Sequence, residues 1–272
     1  MLYKLLALDM DGTLLTSKKT VSEGTRRALE DLSAKGVPLA FCTGRNFLEL
    51  LDWPRELPFI RYGVLASGAV VHDFASNSTL EVRPLQTDAL LQALQIAQAE
   101  DVMVHVMAVR ESVVRSQDIQ NMEHYGMGVY QSMFERICTR EDDPAAWMCD
   151  HPGQVVKLNF YHTDSTARDR TRERLAAAGL PLTLANAEEG SVECSAQGVS
   201  KGEGLRLLAE HLGATLEDVV AVGDSDNDSA ALQAVGMPVA MGNASDSIKR
   251  MCKLVVADND HDGIVEAIER LF

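Results

Sequence analysis

A short apolar run near the start of the chain ends in two aspartates. Residues 5–13 read Leu5-Leu6-Ala7-Leu8-Asp9-Met10-Asp11-Gly12-Thr13. Successive apolar residues are typical of a strand that is covered on both faces, as in a parallel sheet. A chain that leaves this strand at Gly12 can aim the carboxylates of Asp9 and Asp11 into one crevice, where open parallel sheets bind ligands. The alternative is an ordinary solvated turn.

Apolar runs of the same kind follow along the chain and alternate with longer helical patterns. They cover residues 37–42, 64–66, 219–222, 238–241 and 254–256. Between them, Ser22 is placed to cap a helix through about Ala34, and Ser200 and Glu203 have the spacing of a capping box. This alternation predicts a βαβ architecture with a parallel sheet.

The middle of the chain has a different texture, with two helical patterns among several strands of alternating hydrophobicity. Helices are expected at 85–100 and 167–178, and strands at 102–109, 155–161, 182–184 and 192–194. We therefore expect an inserted α+β module, residues 83–190, between two segments of the parallel-sheet domain, residues 1–82 and 191–272.

Composition narrows the class of protein. The 272 residues include 25 Lys and Arg against 40 Asp and Glu, for a net charge of −15, and 46% are hydrophobic, as in an ordinary globular chain. Nucleic-acid partners are disfavoured because the Lys and Arg residues form no dense cluster. The apolar run at residues 1–8 is too short for a signal peptide or a membrane span, so we expect a cytosolic protein with no membrane partner.

Polar residues follow other predicted strands, at the edge of the sheet where ligands bind. They are Thr43-Gly44-Arg45, Ser67-Gly68 and Gly223-Asp224-Ser225-Asp226-Asn227-Asp228. The last stretch places three carboxylates within five residues, and a divalent cation would offset their repulsion. An EF-hand loop that began at Asp224 would need Gly at its sixth position and Glu at its twelfth. These positions are Ser229 and Val235, so an EF-hand does not fit. A solvated loop is the alternative.

A second acidic loop, residues 258–263, matches the letters of an EF-hand when Glu269 is included. The context does not fit, because the loop follows an apolar strand and Glu269 lies inside the last predicted helix. We expect a strand-to-helix loop with an aspartate N-cap.

Lys201 lies in the first turn of a predicted helix, where the helix dipole disfavours a cation by up to about 1 kcal/mol. An anion near Asp9, such as a phosphate, would compensate, although the lysine could instead reach solvent. Thr43 can donate its hydroxyl to the same anion or cap the helix that follows. The seven histidines lack zinc-site spacing.

Taken in order, these residues resemble the four motifs of the haloacid dehalogenase-like hydrolases. The motifs are Asp9-Met10-Asp11-Gly12-Thr13, Thr43, Lys201, and Gly223-Asp224 with Asn227-Asp228. The insertion and Met241-Gly242-Asn243-Ala244 resemble the Cof-type branch. The resemblance implies a doubly wound, Rossmann-like core and an inserted α+β cap that closes over the site and contacts the leaving group. Ser67 and Cys42 stand where Asn and Ala are common, and Ser67 puts a substrate contact of that Asn in doubt.

The resemblance also implies the chemistry of a Mg²⁺-dependent phosphatase. Asp9 would be the nucleophile that forms an aspartyl-phosphate, and Asp11, its pKa raised by Asp9, would be the general acid and then the base. Mg²⁺ would be held by Asp9, the Asp11 carbonyl and Asp224, with Asp228 acting through a water. The implied phosphate-binding residues are Met10, Thr43, Gly44, Lys201 and Asn227, of which Thr43 and Lys201 are also counted as catalytic.

An acid at position 11 favours phosphate esters over haloacids, because a halide needs no proton to leave. The expected substrate is a small phosphorylated metabolite, with sugar phosphates as the leading class. A phosphosugar mutase and a non-catalytic phosphometabolite-binding regulatory protein remain alternatives. Polar candidates for substrate contact in the insertion are His105, Arg110, Arg115, His124 and Tyr125, although an ordinary solvated surface is the favoured explanation for each of them. The sequence does not indicate an oligomeric state.

Overall fold

The structure of the chain, a computed structural model, describes residues 3–186 and 189–272. It divides into two compact units. The first comprises the described residues of Met1–Gly44, Leu51–Glu81 and Ser200–Phe272, and the second those of Arg45–Leu50 and Val82–Val199. The predicted segments 1–82 and 83–190 include Met1, Leu2, Ala187 and Glu188, which lie outside the described residues.

The elements alternate along the chain as an α/β protein requires. The strands are β1 (Leu5–Leu8), β2 (Leu39–Cys42), β3 (Tyr62–Leu65), β4 (Val70–Asp73), β5 (Ser78–Val82), β6 (Val102–Ala108), β7 (Ser112–Val114), β8 (Thr139–Arg140), β9 (Val155–His162), β10 (Leu182–Ala185), β11 (Ser191–Ala196), β12 (Val219–Gly223), β13 (Met237–Ala240) and β14 (Leu254–Val255). The helices are α1 (Glu23–Ala34), α2 (Trp53–Glu56), α3 (Thr87–Ala97), α4 (Ser116–Gln120), α5 (Gln131–Ile137), α6 (Pro144–Asp150), α7 (Ser165–Ala177), α8 (Lys201–His211), α9 (Ser229–Ala234), α10 (Asp246–Met251) and α11 (Gly263–Leu271).

The first sheet has the order β14-β13-β12-β1-β2-β3-β4-β5. Strand β1 pairs in parallel with both β2 and β12, so the chain winds outward from β1 in both directions. The predicted α/β class and doubly wound parallel sheet are confirmed. Two strands that the apolar runs did not predict, β4 and β5, extend the sheet. Strand β4 runs antiparallel to β3. The reversal lies between β1 and β12, and ligands of such sheets bind at the reversal, beyond the carboxyl ends of the strands.

Capping residues define the two helices next to the central strands. Ser22 accepts a hydrogen bond from the Thr25 N–H at the start of α1, and Ser200 accepts one from the Glu203 N–H at the start of α8. Each cap satisfies a backbone donor that the first helical turn leaves open. Leu29 is fully buried, and such a leucine contributes about 1.5–3 kcal/mol through removal of its surface from water.

The acidic loop lies within residues 256–262, which join β14 to α11, as expected. Asp262 occupies the N-cap position of α11 with a left-handed backbone (φ 55°), but its carboxylate accepts hydrogen bonds from the hydroxyls of Ser22 and Thr25 at the start of α1. Asp262 therefore occupies the predicted N-cap position of α11. Its side chain, however, links α11 to α1 instead of capping α11.

The second unit is built on a six-stranded sheet of order β10-β11-β9-β6-β7-β8, in which β6, β9, β10 and β11 pair antiparallel. Helix α7 contacts β9 and β11, and α3 packs against α6 and α7. The expected boundary at residue 190 differs from the observed one because β11 pairs with β9 and β10, which keeps the chain in this unit as far as Val199. Within the described part of the chain, none of the helices combines the length and apolar character needed to cross a bilayer.

Candidate active site

A buried ion-pair cluster lies beyond the carboxyl ends of β1 and β12. Lys201 Nζ donates hydrogen bonds to Asp9 Oδ1 over 2.7 Å and to Asp228 Oδ1 over 2.6 Å. Lys201 is 1% exposed, Asp9 5% and Asp228 2%. Two protein carboxylates therefore compensate this cation in the first turn of α8.

The loop after β12 holds Asp228 through its own backbone. Asp228 Oδ2 accepts hydrogen bonds from the N–H groups of Asp224 and Ser225 over 3.0 and 3.1 Å. Asn227 Oδ1 accepts from Lys201 Nζ over 3.2 Å and from the Ser225 hydroxyl over 2.9 Å. Both oxygens of Asp228 thus have partners, which fixes the orientation of its carboxylate.

Asp224 is held by the turn that follows β1. The Thr13 hydroxyl donates to Asp224 Oδ1 over 2.8 Å, and Thr13 is 1% exposed. Gly12 has a left-handed backbone (φ +83°), and a Cβ added there would lie 2.4 Å from Asp224 Oδ2. A larger residue at this position would therefore suffer backbone strain and a clash with the carboxylate.

The charges in this cluster do not balance. Burial raises the pKa of Asp9 to about 8, the charge on Asp228 adds to the effect, and Lys201 opposes it. Burial also raises the pKa of Asp224 to about 6, against the hydrogen bond from Thr13. Burial lowers the pKa of Lys201, but Asp228 and Asp9 outweigh it, so that the pKa lies well above its usual value. One ammonium group thus serves three neighbouring carboxyl groups, so ionisation of all three would leave an excess of negative charge.

The same carboxylates are arranged for a metal ion. One oxygen atom from each of Asp9, Asp224 and Asp228 lies within 4.8 Å of the others. Carboxylate oxygens are the ligands that Mg²⁺ prefers, and a cation would offset both the burial of the Asp9 and Asp224 carboxylates and the repulsion that Asp228 adds. The residues present therefore fit a divalent cation. Asp226, which belongs to the same acidic stretch, is exposed.

Asp11 is placed differently from Asp9. Its carboxylate accepts a hydrogen bond from Lys19 Nζ over 2.7 Å, and its side chain is 34% exposed. The three-carboxylate cluster is formed without the Asp11 side chain. The structure thus separates a buried aspartate from a partly exposed one on a single turn.

The remaining predicted residues lie on the same edge of the sheet. Thr43 follows β2, is 2% exposed and has its backbone fixed by Val64 and Ser67. Gly44 is half-buried beside it, whereas Met10 is fully buried and its carbonyl accepts the Leu15 N–H.

Two departures from the family pattern have structural consequences. Ser67 adopts a left-handed backbone (φ 58°), and its N–H donates to the Thr43 carbonyl. Burial raises the pKa of the Cys42 thiol to about 12, so this side chain behaves as a small apolar group.

Thr13 and Asn243 have structural roles at the site that the sequence motifs alone do not reveal. Thr13 binds Asp224, and Asn243 Nδ2 donates to the Gly12 carbonyl over 2.8 Å. The role of Thr13 could have been predicted, because its hydroxyl directly follows the glycine turn at the end of β1. The second contact joins residues 231 positions apart, and nothing local in the sequence indicates it.

The polar candidates in the inserted module divide into two groups. Four make contacts at or near the surface of the second unit: Arg115 with Asp118, His124 and Tyr125 with Asp101, and Arg110 with the ring of Phe47. His105 is fully buried, and its Nε2 lies 3.0 Å from the Ser112 hydroxyl.

A sequence profile of haloacid dehalogenase-like hydrolases matches residues 6–268. The chain belongs to this family. The family resemblance drawn from the four motifs is therefore confirmed.

This family member is similar to two curated phosphatases along nearly its whole length. It is 28% identical over 265 residues to the 5-amino-6-(5-phospho-D-ribitylamino)uracil phosphatase YcsE of Bacillus subtilis, with 97% of the chain and 94% of the relative covered. It is 27% identical to the pyridoxal phosphate phosphatase YbhA of Escherichia coli, with 98% of each covered. A solved haloacid dehalogenase-like hydrolase from B. subtilis superposes with a TM-score of 0.87 at 26% identity, covering 99% of the chain and 100% of that structure. The protein is thus a hydrolase of the phosphatase type.

Proposed function

We propose that this phosphatase depends on Mg²⁺ and hydrolyses a small phosphorylated metabolite through an aspartyl-phosphate, with sugar phosphates as the leading substrate class. The observation that carries the proposal is the buried contact of Lys201 with Asp9 beside Asp224 and Asp228. A carboxylate held by a buried lysine at the reversal of a doubly wound sheet is suited to attack an electrophile in the crevice.

Mg²⁺ would be held by Asp9, by Asp224 and by the backbone carbonyl of Asp11. Asp228 would act through a bound water, because its two oxygens already accept hydrogen bonds from Lys201, Asp224 and Ser225. When bound, Mg²⁺ supplies a Lewis acid and neutralises negative charge in the site. A bound Mg²⁺ would therefore explain why the cluster contains three carboxylates and only one ammonium group.

The reaction then proceeds in two steps on the two aspartates. An Asp9 carboxylate oxygen attacks phosphorus, the bond from phosphorus to the ester oxygen breaks, and Asp11 gives its proton to the departing alkoxide. Asp11 next takes a proton from water, whose oxygen attacks phosphorus. The bond from phosphorus to the Asp9 oxygen breaks, which releases phosphate and restores the carboxylate. The partial exposure of Asp11 suits a group that exchanges protons with an alcohol and with water.

The phosphoryl oxygens would be bound by Lys201, Asn227, Thr43 and the backbone near Met10 and Gly44. Lys201 and Asn227 already share a hydrogen bond of 3.2 Å. Charge on these oxygens increases in the transition state, and fixed donors in a buried site stabilise it more strongly than water does.

We assign the choice of substrate to the second unit. Among the described residues, His105 Nδ1 and Asn159 Oδ1 are buried polar atoms that have no hydrogen-bond partner. The two residues are neighbours in register on β6 and β9. Burial lowers the pKa of His105 to about 3, so its ring is neutral. Neutral groups with unused hydrogen-bonding capacity suit the hydroxyls of a sugar better than a second charged group does, but His105 and Asn159 are almost completely buried, so a sugar would have to displace the side chains that cover them.

The proposal is tested by measuring phosphate release from sugar phosphates, a ribityl phosphate, pyridoxal phosphate, nucleotides and an aryl phosphate, each with Mg²⁺ and with EDTA. We expect release that EDTA abolishes, and a ranking by kcat/KM that favours sugar phosphates. Asp9→Asn should remove at least about 10³-fold of kcat, whereas the matched Asp226→Asn, in the exposed part of the loop, should keep it. Substantial turnover by Asp9→Asn would refute the nucleophile. Isomer formation in place of phosphate release would identify a mutase.

A further inference from the structure

Two asparagines from distant loops hold the turn that carries Asp11. Within that turn, the N–H groups of Leu14 and Leu15 donate to the carbonyls of Asp9 and Met10. The carbonyls of Gly12 and Leu15 accept hydrogen bonds from side-chain amides. Asn243 Nδ2 donates to the Gly12 carbonyl, and Asn259 Nδ2 donates to the Leu15 carbonyl, each over 2.8 Å.

The two asparagines are also joined to each other. The Asn259 N–H donates to Asn243 Oδ1 over 3.2 Å, so the Asn243 amide uses its NH₂ group on one side and its oxygen on the other. This pair of contacts fixes the orientation of the amide, because a flipped amide would set its NH₂ group against the Asn259 N–H.

The loop that carries Asn243 is itself fixed to the sheet. The Met241 N–H donates to the Gly223 carbonyl at the end of β12, and the Gly242 N–H donates to the Ala257 carbonyl after β14. A Cβ added at Gly242 would lie 2.8 Å from the Asp258 nitrogen, so the backbones of the two loops approach closely. The exposed Asn243 side chain thus extends from a loop that is fixed to β12 and to the segment after β14, and it links this loop to the turn that follows β1.

Asp9 and Asp11 differ in what positions them. The buried Asp9 carboxylate is held by Lys201, whereas the Asp11 carboxylate is partly exposed and pairs with Lys19, whose own side chain is 52% exposed. Exposed ion pairs constrain a side chain only weakly. The backbone of the turn therefore contributes to the direction of Asp11, and the Gly12 carbonyl belongs to the residue that follows Asp11.

We propose that Asn243 is a positioning residue for Asp11. This inference rests on the proposed role of Asp11 as the general acid and base. Loss of the Asn243 amide frees the Gly12 carbonyl and loosens the turn next to Asp11, while Lys201 still holds Asp9. Proton transfer to the leaving group then suffers more than attack on phosphorus does, since small errors in the placement of a reacting group are costly.

The test compares leaving groups in kcat/KM, which reports the steps through the first phosphoryl transfer. An alkoxide needs a proton to leave, whereas an activated aryl oxide such as p-nitrophenolate needs little help. We expect Asn243→Ala to lower kcat/KM for an alkyl phosphate by about 10- to 100-fold and for p-nitrophenyl phosphate by less than about 3-fold. Asn243→Asp keeps the size and the acceptor for Asn259 but removes the donor to Gly12, and it should show the same selective loss.

A double-mutant cycle separates positioning from a general defect. If Asn243 acts through Asp11, then Asn243→Ala in an Asp11→Asn background should lower kcat/KM for the alkyl phosphate by less than about 2-fold, because the group that it positions is already gone. Equal losses for both leaving groups, or full additivity with Asp11→Asn, would overturn the inference. A wild-type chain that releases no phosphate from either ester would instead count against the proposed function.

Discussion

Lys201 Nζ lies 2.7 Å from Asp9 Oδ1, and both side chains are almost completely buried. Water therefore screens neither charge, and each depends on the other and on Asp228 for compensation. Asp9 follows β1 and Lys201 opens α8, 192 positions later. The ion pair thus links the stability of the fold to the chemistry proposed for Asp9.

Replacing Lys201 by Met should lower both the stability of the fold and the release of phosphate. Removal of one partner of a buried ion pair leaves uncompensated carboxylates, so we expect the free energy of unfolding to fall by about 3–5 kcal/mol in EDTA and phosphate release to disappear. Urea unfolding at neutral pH measures the first effect. Lys4→Met is the matched control, because the pair of Lys4 with Asp218 is exposed and worth less than about 1 kcal/mol. If the two variants were equally stable, the buried pair would contribute nothing.

The two left-handed glycines Gly12 and Gly36 offer a paired experiment. Their φ angles are +83° and +86°, but a Cβ at Gly36 meets nothing within 4 Å, whereas one at Gly12 strikes Asp224. Gly36→Ala should cost about 1 kcal/mol of stability through backbone strain and leave activity intact. Gly12→Ala should lose at least as much stability and, in addition, more than about 100-fold of kcat/KM. The idea would fail if Gly12→Ala retained wild-type kinetics.

Thr13→Val should weaken metal binding more than it weakens folding. The substitution keeps the shape of the side chain but removes the hydrogen bond that orients Asp224. Loss of such a supporting contact typically lowers metal affinity about 10- to 100-fold. Titration of phosphate release with Mg²⁺ would show the shift, and Thr13→Ser should restore most of the affinity. An unchanged Mg²⁺ midpoint in Thr13→Val would mean that Asp224 needs no support from this hydroxyl.

Asp73, at the end of strand β4, should make the free energy of unfolding depend on pH. Hydrogen bonds from the Arg61 guanidinium lower the pKa of Asp73 to about 2, and its side chain is buried while Arg61 is half-exposed. Because the folded-state pKa lies below the unfolded value near 4, the stabilisation is present above about pH 4 and is lost as the pH falls toward about 2.

Asp73→Asn should therefore lower the free energy of unfolding by about 1–2 kcal/mol at neutral pH, a value reduced from the full shift because the exposed Arg61 is screened by solvent. The difference from wild type should shrink below about pH 4. Urea unfolding across that range measures it, with the exposed Glu81→Gln as a control for loss of one charge. A difference that stayed constant with pH would point to packing rather than to the ion pair.

Much of the first unit was predictable because its signals are local. The apolar runs at β1, β12 and β13 are long and are followed by polar residues, so the rule for carboxyl ends of parallel strands brings Asp9 and Asp224 together. The cap at Ser22 was equally local, since it needs only the three residues that follow it.

Other features depend on contacts between distant parts of the chain. Strand β4 follows a turn in which Ala66 and Ser67 both have left-handed backbones. Alanine and serine rarely adopt this conformation, so their presence does not predict the turn. Residues 45–50 belong to the second unit because Asn46 Nδ2 donates to the Ser112 hydroxyl over 2.7 Å, a partner 66 positions away. The ion pair of Lys157 with Glu193 lies buried on a sheet, where charged residues are usually taken to face solvent.

The place of β1 at the centre of its sheet has a consequence for synthesis on the ribosome. One neighbour, β2, emerges soon after β1, but the other, β12, is translated some 210 residues later. At about 5–20 residues per second, this leaves one edge of an entirely apolar strand without its native neighbour for on the order of 10–40 s. Such an edge is a template for pairing with other chains, so nascent copies should need shielding by a chaperone during that interval.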